Sequence, residues 1–356
     1  MKSPLLKLTA SFVIFFLLFS CNDSEQIAPS PVKGSLLAIK RGDPVPKGYE
    51  LFKLSEDKPL DWKEIAPISS PMCQGDSAVT IDGKIYFAGG GNKAGPSKLL
   101  ESYDPTTNKW TTLDSMIEAR SVSTGTVLNN KFYMLGGHNN TKGRLIQNEV
   151  YDPLTNKWSK IADLPFDTRS ASSIAVNGKI YFIGGVTGGV QTNNTLEYDP
   201  NNDTWTSKAG MPTKRDALRL VFFENRIWAL GGWYAGGPSN HVESYDPVSN
   251  TWRGEKRLKT APVYPSAWVS NGRIFVGGGG DHNVPAGPSY YDTVQAYDPE
   301  TKDWEIVGKL PLKIERADTV VLDEKVYIIG GVNSEGFSDK VFTADISPPL
   351  DLYYYK

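Results

Sequence analysis

The 356-residue chain has few of the residues that most often build metal and redox sites: 2 cysteines, 3 histidines and 5 methionines. Two cysteines cannot form a disulfide scaffold or a four-cysteine zinc site, and three histidines allow only a sparse metal site. The sequence also lacks a Gly-x-Ser-x-Gly elbow, a Walker loop, a Gly-x-Gly-x-x-Gly turn after a strand, a His-Glu-x-x-His helix and a Cys-x-x-Cys pair. We therefore expect no cofactor, no metal and no assigned catalytic residue.

The chain also has no excess of charge of either sign. Its 38 Lys and Arg residues nearly balance its 40 Asp and Glu residues, which gives a formal net charge of -2. Nucleic-acid binding normally needs a basic patch or stripe, whereas the basic residues here are scattered along the chain. We therefore expect no nucleic-acid partner.

The first twenty residues have the pattern of a signal peptide. Lys2 and Lys7 flank the start of the segment, and an apolar run from Leu8 to Phe19 follows. This run is shorter than the roughly 20 residues that a membrane-spanning helix needs. Residues 1–20 are therefore predicted to be a signal peptide, with an uncleaved anchor as the alternative.

The segment Leu18-Phe19-Ser20-Cys21 resembles a bacterial lipobox, and ordinary signal-peptidase cleavage is the alternative. The resemblance implies that Cys21 is lipidated and that the protein is anchored through lipid in the bacterial cell envelope. Residues 21–47 are rich in Ser and Pro and are predicted to form a flexible tether. Asn22 is not the Asp associated with inner-membrane retention, which favours the outer membrane, facing the periplasm or the cell surface.

From residue 48 onward the chain repeats about every 47 residues. Six Gly pairs begin at Gly89, Gly136, Gly184, Gly231, Gly278 and Gly330, and each follows a β-rich run such as KIYFAGG. Tyr-Asp-Pro occurs at Tyr103, Tyr151, Tyr198, Tyr245 and Tyr297, and seven residues later stand Trp110, Trp158, Trp205, Trp252 and Trp304. Short alternating runs separated by turn residues predict a four-stranded antiparallel meander in each unit.

This pattern resembles the kelch repeat, which has Arg near the start of the first strand, a Gly pair ending the second, Tyr ending the third and Trp in the fourth. The resemblance covers residues 48–356 and implies an all-β, six-bladed kelch β-propeller with four-stranded antiparallel blades. The sixth repeat lacks both Tyr-Asp-Pro and the following Trp, whereas Trp62 stands before the first repeat. An N-terminal outer strand is therefore predicted to close the ring, with a seventh, partial blade built from residues 49–55 and LYYYK as the alternative.

Antiparallel connectivity predicts that the loops after each Gly pair share one face with the segments before each first strand. These loops are long and rich in Gly and Asn, and loops on a rigid scaffold commonly carry binding residues. The candidate ligand-binding residues on this face are Arg120, Arg169, Arg215, Arg219, Trp233, Tyr234, His241, Tyr264, Trp268, His282 and Arg316. Aromatic rings and guanidinium groups of this kind suit a polar ligand such as a glycan or an extended peptide.

Several of these residues also have a purely structural interpretation. Arg120 and Arg169 match the recurring kelch arginine and are expected to bond loop carbonyls. Arg219 stands where other repeats have serine and is expected to point into the central channel. The three histidines are expected to be independent loop residues, and Cys73 a passive thiol.

The leading functional hypothesis is a lipid-anchored, non-catalytic module that binds a glycan or a protein. The alternative is a carbohydrate isomerase resembling the kelch-type N-acetylneuraminate epimerase (mutarotase). That resemblance implies an acid-base residue such as Glu315 with a cation from Arg215, Arg219 or Arg316. A third possibility is a copper radical oxidase resembling galactose oxidase. That resemblance implies a cysteine crosslinked to a tyrosine and two histidine ligands, for which Cys73, His138, His241 and His282 on the predicted loop face are the candidates.

Overall fold

The computed structural model describes residues 36–53, 59–73, 77–282, 289–348 and 350–355. Two compact units emerge from the contacts: Leu60–Ile346, and a smaller unit formed by both ends of the chain. Residues 1–35, which contain the predicted signal peptide, Cys21 and much of the predicted tether, lie outside the described residues. No described helix has the length and apolar character needed to cross a membrane.

The unit Leu60–Ile346 consists of six four-stranded antiparallel sheets. The first strands of neighbouring sheets lie against one another in a closed cycle that runs from the first sheet to the sixth and back to the first. This arrangement surrounds a central channel with the first strands and places the fourth strands outside. The predicted six-bladed propeller is confirmed.

The strand bounds repeat with the sequence. The first strands are Ala78–Ile81, Thr124–Leu128, Ser172–Val176, Arg219–Phe223, Ser266–Ser270 and Asp318–Leu322. The second strands are Lys84–Ala88, Lys131–Leu135, Lys179–Ile183, Arg226–Leu230, Arg273–Gly277 and Lys325–Ile329. The third strands are Leu100–Asp104, Asn148–Asp152, Thr195–Asp199, Val242–Asp246, Thr293–Asp298 and Val341–Asp345. The fourth strands are Lys109–Thr112, Lys157–Ile161, Thr204–Ser207, Thr251–Gly254, Asp303–Lys309 and, in the sixth blade, Lys63–Ile65.

The ring closes through the strand that comes first in sequence. Lys63–Ile65 pairs antiparallel with Val341–Asp345, with Lys63 opposite Thr343 and Ile65 opposite Val341. The blade therefore joins the two ends of the propeller sequence, and the predicted closure by an N-terminal outer strand is confirmed.

The repeated tryptophans connect neighbouring blades. Each donates a hydrogen bond of 2.8 to 3.0 Å from its indole Nε1 to a backbone carbonyl at the end of the adjacent fourth strand. The pairs are Trp62–Lys309, Trp110–Ala66, Trp158–Asp114, Trp205–Ala162, Trp252–Ala209 and Trp304–Lys256. Apolar side chains fill the spaces between blades, as where Trp228 and Leu230 pack with Ile274, Val276 and Trp304. Packing between blades therefore explains the repeat of Tyr, Trp and alternating apolar residues.

Each Gly pair leads into a short two-stranded ribbon that the sequence interpretation treated as a loop. The ribbons pair Gly91–Asn92 with Gly95–Pro96, His138–Asn139 with Gly143–Arg144, Val186–Thr187 with Val190–Gln191, Trp233–Tyr234 with Gly237–Pro238, Gly280–Asp281 with Ser289–Tyr290, and Val332–Asn333 with Gly336–Phe337. Gly232 shows why glycine is needed before a ribbon: its φ is +99°, and a Cβ would lie 2.5 Å from the carbonyl oxygen of Asp216.

The smaller unit is a three-stranded antiparallel sheet in which Leu350–Tyr355 lies between Leu36–Lys40 and Tyr49–Lys53. This arrangement differs from the predicted domain limits in two ways. Residues 36–40 form a strand although they fall within the predicted flexible tether 21–47, because the apolar run LLAIK pairs with the C-terminal strand. Residues 49–53 and 350–355 form a separate sheet with Leu36–Lys40, although the predicted propeller spans 48–356.

Candidate functional site

Five residues, each two positions before the start of a first strand, share an unusual backbone conformation. Val122, Ser170, Ala217, Tyr264 and Arg316 have φ values between +46° and +58°. Positive φ is uncommon for any residue other than glycine, and is a clear outlier for a β-branched or bulky one. We call these five residues the mouth ring; its equivalent in the first blade falls in residues 74–76, outside the described residues.

The mouth ring is held together by its own backbone. The N–H groups of the last four members each donate to the carbonyl of the member in the preceding blade, in four successive hydrogen bonds of 2.8 to 3.2 Å: Ser170 to Val122, Ala217 to Ser170, Tyr264 to Ala217 and Arg316 to Tyr264. These bonds fix the left-handed conformation and occupy the backbone groups. Side chains are therefore what the ring offers to a ligand.

The ribbons are tied to this ring. The residue before each ring member forms a β-bridge with the first ribbon residue of the same blade, in the pairs Ser121–His138, Arg169–Val186, Asp216–Trp233, Val263–Gly280 and Glu315–Val332. Antiparallel connectivity predicted that these two kinds of segment share a face, and the structure brings them together. The ribbons and the ring together surround the mouth of the channel.

A cavity of about 310 Å³ lies at this mouth. Its lining residues are Val122, Arg169, Ser170, Asp216, Ala217, Trp233, Val263, Tyr264, His282 and Arg316. Five of the eleven predicted candidates, Arg169, Trp233, Tyr264, His282 and Arg316, are among them. Sequence reasoning missed the other five, although the repeat spacing relative to the Gly pairs could have located them.

Charged and aromatic side chains contact one another at one part of the cavity lining. The Glu315 carboxylate lies 2.7 Å from Nε2 of His282 and accepts a 3.4 Å hydrogen bond from Nε of Arg316. The Arg316 guanidinium also stacks 4.1 Å from the ring centroid of Tyr264. Burial acts to lower the pKa of Arg316, but the attraction of Tyr264 and Glu315 outweighs it and raises that pKa above its usual value.

A second part of the cavity lining carries a carboxyl group and an indole. Asp216 accepts a 2.8 Å hydrogen bond from Nε2 of Gln191, which also donates to the backbone carbonyl of Trp233 at 3.0 Å. Burial raises the pKa of Asp216 above its usual value. The Trp233 ring lies edge-on to His282 with 6.2 Å between centroids, and Arg169 is exposed at the rim. The cavity thus combines acidic, basic and aromatic side chains.

Two candidate arginines are structural, and one alignment in the sequence interpretation was wrong. Arg120 and Arg215 are completely buried and pair with Glu149 and Glu243 of their own blades. They cannot reach a ligand in the cavity. The position equivalent to Arg120 in the next blade is Thr168, because Arg120 bridges Ser97 as Thr168 bridges Leu145. Arg169 is therefore one position further along and faces the mouth.

Four other candidates lie outside the cavity lining. Arg219 is 4% exposed and donates to the carbonyls of Pro265 and Ala317 in the two following blades. Trp268 is buried and stacks on Phe275 with 5.3 Å between ring centroids. Tyr234 and His241 contact each other, with centroids 5.1 Å apart, in the fourth blade.

The structure also shows the surroundings of Cys73 and His138. Cys73 is buried, and burial raises the pKa of its thiol to about 11, so the thiol is protonated at neutral pH. Burial and the nearby Arg169 lower the pKa of His138, which lies in the ribbon of the second blade. Within the described ranges no three His, Cys, Asp or Glu residues form a group that could hold a metal ion.

Comparisons with known proteins agree with this architecture. A family model for the KLHDC2/KLHL20/DRC7 Kelch-repeats domain matches residues 60–210, and a Kelch motif model matches residues 215–256 and 262–311. The solved structure of YjhT aligns with a TM-score of 0.68 and 17% identity, covering 79% of this chain and 95% of that chain. At that identity the likeness concerns the fold alone.

Curated relatives match over short segments. Kelch-like protein 23 of Homo sapiens is 35% identical over 78 residues, which is 22% of this chain and 14% of the relative. Kelch-like protein terF of Aspergillus terreus is 36% identical over 86 residues, covering 21% and 18%. Spermatocyte protein spe-26 of Caenorhabditis elegans is 35% identical over 97 residues, covering 25% and 17%. The matched segments span less than a fifth of each of these relatives.

Proposed function

Because the chain belongs to the kelch-repeat family of β-propellers, we propose that it is a non-catalytic binding module whose ribbon-bearing face takes a glycan or protein ligand. The observation that carries this proposal is the cavity at the channel mouth, where side chains from several blades converge on one volume. Loops on a rigid scaffold are a common place for binding residues, and here the scaffold is a closed ring of blades.

The size of the cavity limits what enters it. Ligand pockets commonly range from about 300 to 1,000 Å³, and this cavity of about 310 Å³ is at the lower end of that range. One sugar ring or one or two amino-acid side chains would fill it. The remainder of a glycan or protein would extend over the surrounding ribbons.

The lining chemistry favours a polar ligand. Trp233 offers an aromatic surface, Arg169 and Arg316 offer hydrogen-bond donors, and Asp216 offers an acceptor. The backbone groups that link the mouth ring are already hydrogen bonded to each other. Recognition would therefore depend on these side chains.

Glycan arrays and pull-down experiments on the protein would test this function. A genuine binder should lose roughly fivefold to thirtyfold in affinity with Trp233→Ala, since an aromatic contact in a desolvated pocket contributes on the order of 1 to 2 kcal/mol. Leu154→Ala is the control, because Leu154 is exposed in the Tyr-Asp-Pro turn of the second blade, on the face away from the ribbons. Equal loss in both variants, or turnover of a sugar without any stable binder, would overturn the proposal.

We further propose that the protein is exported and anchored in the cell envelope through lipid on Cys21, facing the periplasm or the cell surface. The lipobox-like Leu18-Phe19-Ser20-Cys21 supports this proposal. Cys21→Ala should move the protein from the membrane fraction to the soluble fraction and abolish labelling by a fatty-acid analogue. Cys73→Ala is the control and should remain membrane-bound; an unchanged distribution of the Cys21 variant would contradict the anchor.

A carbohydrate isomerase of the mutarotase type is the second candidate, because His282 and Glu315 form a contacting pair at the cavity. A His-Glu pair can supply the acid and base that ring opening at an anomeric carbon requires. NMR time courses of anomer equilibration of N-acetylneuraminate test it. Catalysis that Glu315→Gln abolishes would support this candidate, and equilibration at the uncatalysed rate would remove it.

A further inference from the structure

Tyr264 and Arg316 are the two mouth-ring residues that combine a large side chain with a left-handed backbone, and Tyr264 is the aromatic one. Its φ is +50°, a conformation that glycine adopts freely and that a bulky residue adopts only at a cost of about 1 to 3 kcal/mol. Such outliers persist where the surrounding structure fixes them, and they cluster at functional sites. The side chain of Tyr264 is therefore a candidate for a specific role.

The Tyr264 side chain spans the mouth of the channel. Its hydroxyl lies 2.7 Å from Oγ of Ser170, so the hydrogen bond joins the fifth blade to the third. The intervening fourth blade contributes the small Ala217, whose backbone bonds to both neighbours. Burial raises the pKa of the Tyr264 phenol, which is therefore neutral and able to donate at neutral pH. This side-chain bridge links the fifth blade to the third and forms part of the cavity wall.

The same aromatic ring supports a cation. The Arg316 guanidinium stacks 4.1 Å from the centroid of Tyr264, and Glu315 bonds the Nε edge of that guanidinium. Glu315 is in turn held by His282. The guanidinium is thus fixed on one face by the ring and at one edge by a carboxylate, and it lines the cavity, where its Nη groups have no hydrogen-bond acceptor among the described residues.

From these contacts we infer that Tyr264 is a positioning residue that sets the specificity of the cavity: its ring orients Arg316 toward the ligand, and its hydroxyl bridge to Ser170 holds that ring in place. This inference rests on the proposed binding function. A ligand of this site has to place a hydrogen-bond acceptor against Arg316 above the Tyr264 ring. Ser170 alone cannot select a ligand with an acceptor at Arg316, because its short side chain does not reach the Arg316 guanidinium.

The test follows the Nε–Hε NMR signal of Arg316, assigned with Arg316→Lys. In the unliganded protein the Tyr264 ring current should shift this signal upfield. Tyr264→Phe should keep the shift, whereas Tyr264→Leu should lose it; Tyr264→Gly, which suits the positive φ, is the second variant in case Leu impairs folding. Tyr234→Leu is the matched control and should leave the signal unchanged. An Arg316 signal with no upfield shift, or one that survives Tyr264→Leu and Tyr264→Gly, would overturn the positioning role.

Inorganic phosphate is the acceptor probe for the specificity role. Titration should move the Arg316 signal saturably in the wild type and in Tyr264→Phe, with affinity roughly tenfold weaker in Tyr264→Leu, as expected for loss of a partly desolvated cation–π contact. If phosphate moves no arginine signal, or moves it equally in the wild type and Tyr264→Leu, the specificity role is overturned. Failure to find any glycan or protein ligand while the Arg316 signal behaves as expected would overturn the proposed function and leave the positioning role intact.

Discussion

At the scale of single residues, one position separates an arginine that packs a blade from an arginine that faces the cavity. Arg120 and Arg215 have equivalent partners: each donates to the carbonyl of the first glycine in its Gly pair and to a glutamate in its third strand. Arg169, displaced by one residue, lies exposed at the cavity rim. Residue type alone did not distinguish the buried arginines from Arg169, because all of them precede a first strand.

The buried ion pair between Arg120 and Glu149 predicts a large effect on the free energy of unfolding. Arg120→Met should lower the free energy of unfolding by about 3 kcal/mol, because it leaves the buried Glu149 carboxylate without its cation and two loop carbonyls without a donor. Urea unfolding followed by tryptophan fluorescence measures the change. Arg169→Met is the control and should shift stability by less than about 0.5 kcal/mol. A change of similar size in both variants would contradict the assignment.

Asp216 predicts a pH-dependent effect. The pKa of Asp216 is raised in the folded protein, so ionised Asp216 destabilises the fold at pH values above that pKa. Below the unfolded-state pKa near 3.8, Asp216 is protonated in the folded and the unfolded protein alike, and this destabilisation is absent. Asp216→Asn, which keeps the oxygen acceptor for Gln191, should therefore be more stable than the wild type at pH 7. Melting temperatures measured at pH 7 and pH 3.5 should show the gain only at the higher pH; an equal difference at both would contradict the shift.

The mouth ring is the feature of the site that sequence reasoning could not foresee. Val122, Ala217 and Tyr264 have no local preference for positive φ, and their conformation comes from hydrogen bonds between blades. The aromatic and arginine side chains at the mouth were predictable, because repeat spacing assigns them to the loop-bearing face. Which of them converge on one cavity depends on the closed ring.

At the scale of strands, the blades were predictable because every strand end carries a recurring residue with a structural purpose. Gly pairs mark the ends of second strands and tryptophans mark fourth strands, where each indole bonds a neighbouring blade. The ribbons were missed because two-residue strands have too few residues to show alternation. The terminal sheet was missed in part because Leu36–Lys40 pairs with a strand from the other end of the chain, which composition cannot reveal.

Ring closure predicts the effect of removing one short strand. Deleting residues 60–67 removes Trp62 with its bond to Lys309, and Lys63–Ile65 with its pairing to Val341–Asp345. Because the first and last blades are joined through this strand, the propeller should lose its cooperative thermal transition. Circular dichroism against temperature measures this outcome.

A truncation that removes the residues before 60 and after 346 is the matched control for that deletion. It leaves all six four-stranded sheets in place and should keep a single cooperative transition. A normal transition in the 60–67 deletion, or its loss in the truncated control, would contradict closure through that strand.

At the scale of the whole molecule, the two ends of the channel differ in character. The ribbon-bearing mouth carries charged and aromatic side chains from several blades, whereas the Tyr-Asp-Pro side carries short turns with exposed residues such as Leu154 and Val248, at 92% and 90% exposure. Isolated exposed apolar residues are normal on protein surfaces. The proposed binding site therefore lies on the ribbon-bearing face, and the fold alone does not identify the ligand.

Binding of ligand in the cavity at the channel mouth can be seen directly in a crystal structure of the protein with a glycan or peptide recovered from the binding screens. Ligand density should lie within hydrogen-bond distance of Arg169 or Arg316 and in contact with Trp233. Leu154→Lys, on the opposite side, should bind the same ligand with unchanged affinity. Ligand bound on the Tyr-Asp-Pro side, or a complex that leaves the cavity lining untouched, would contradict it.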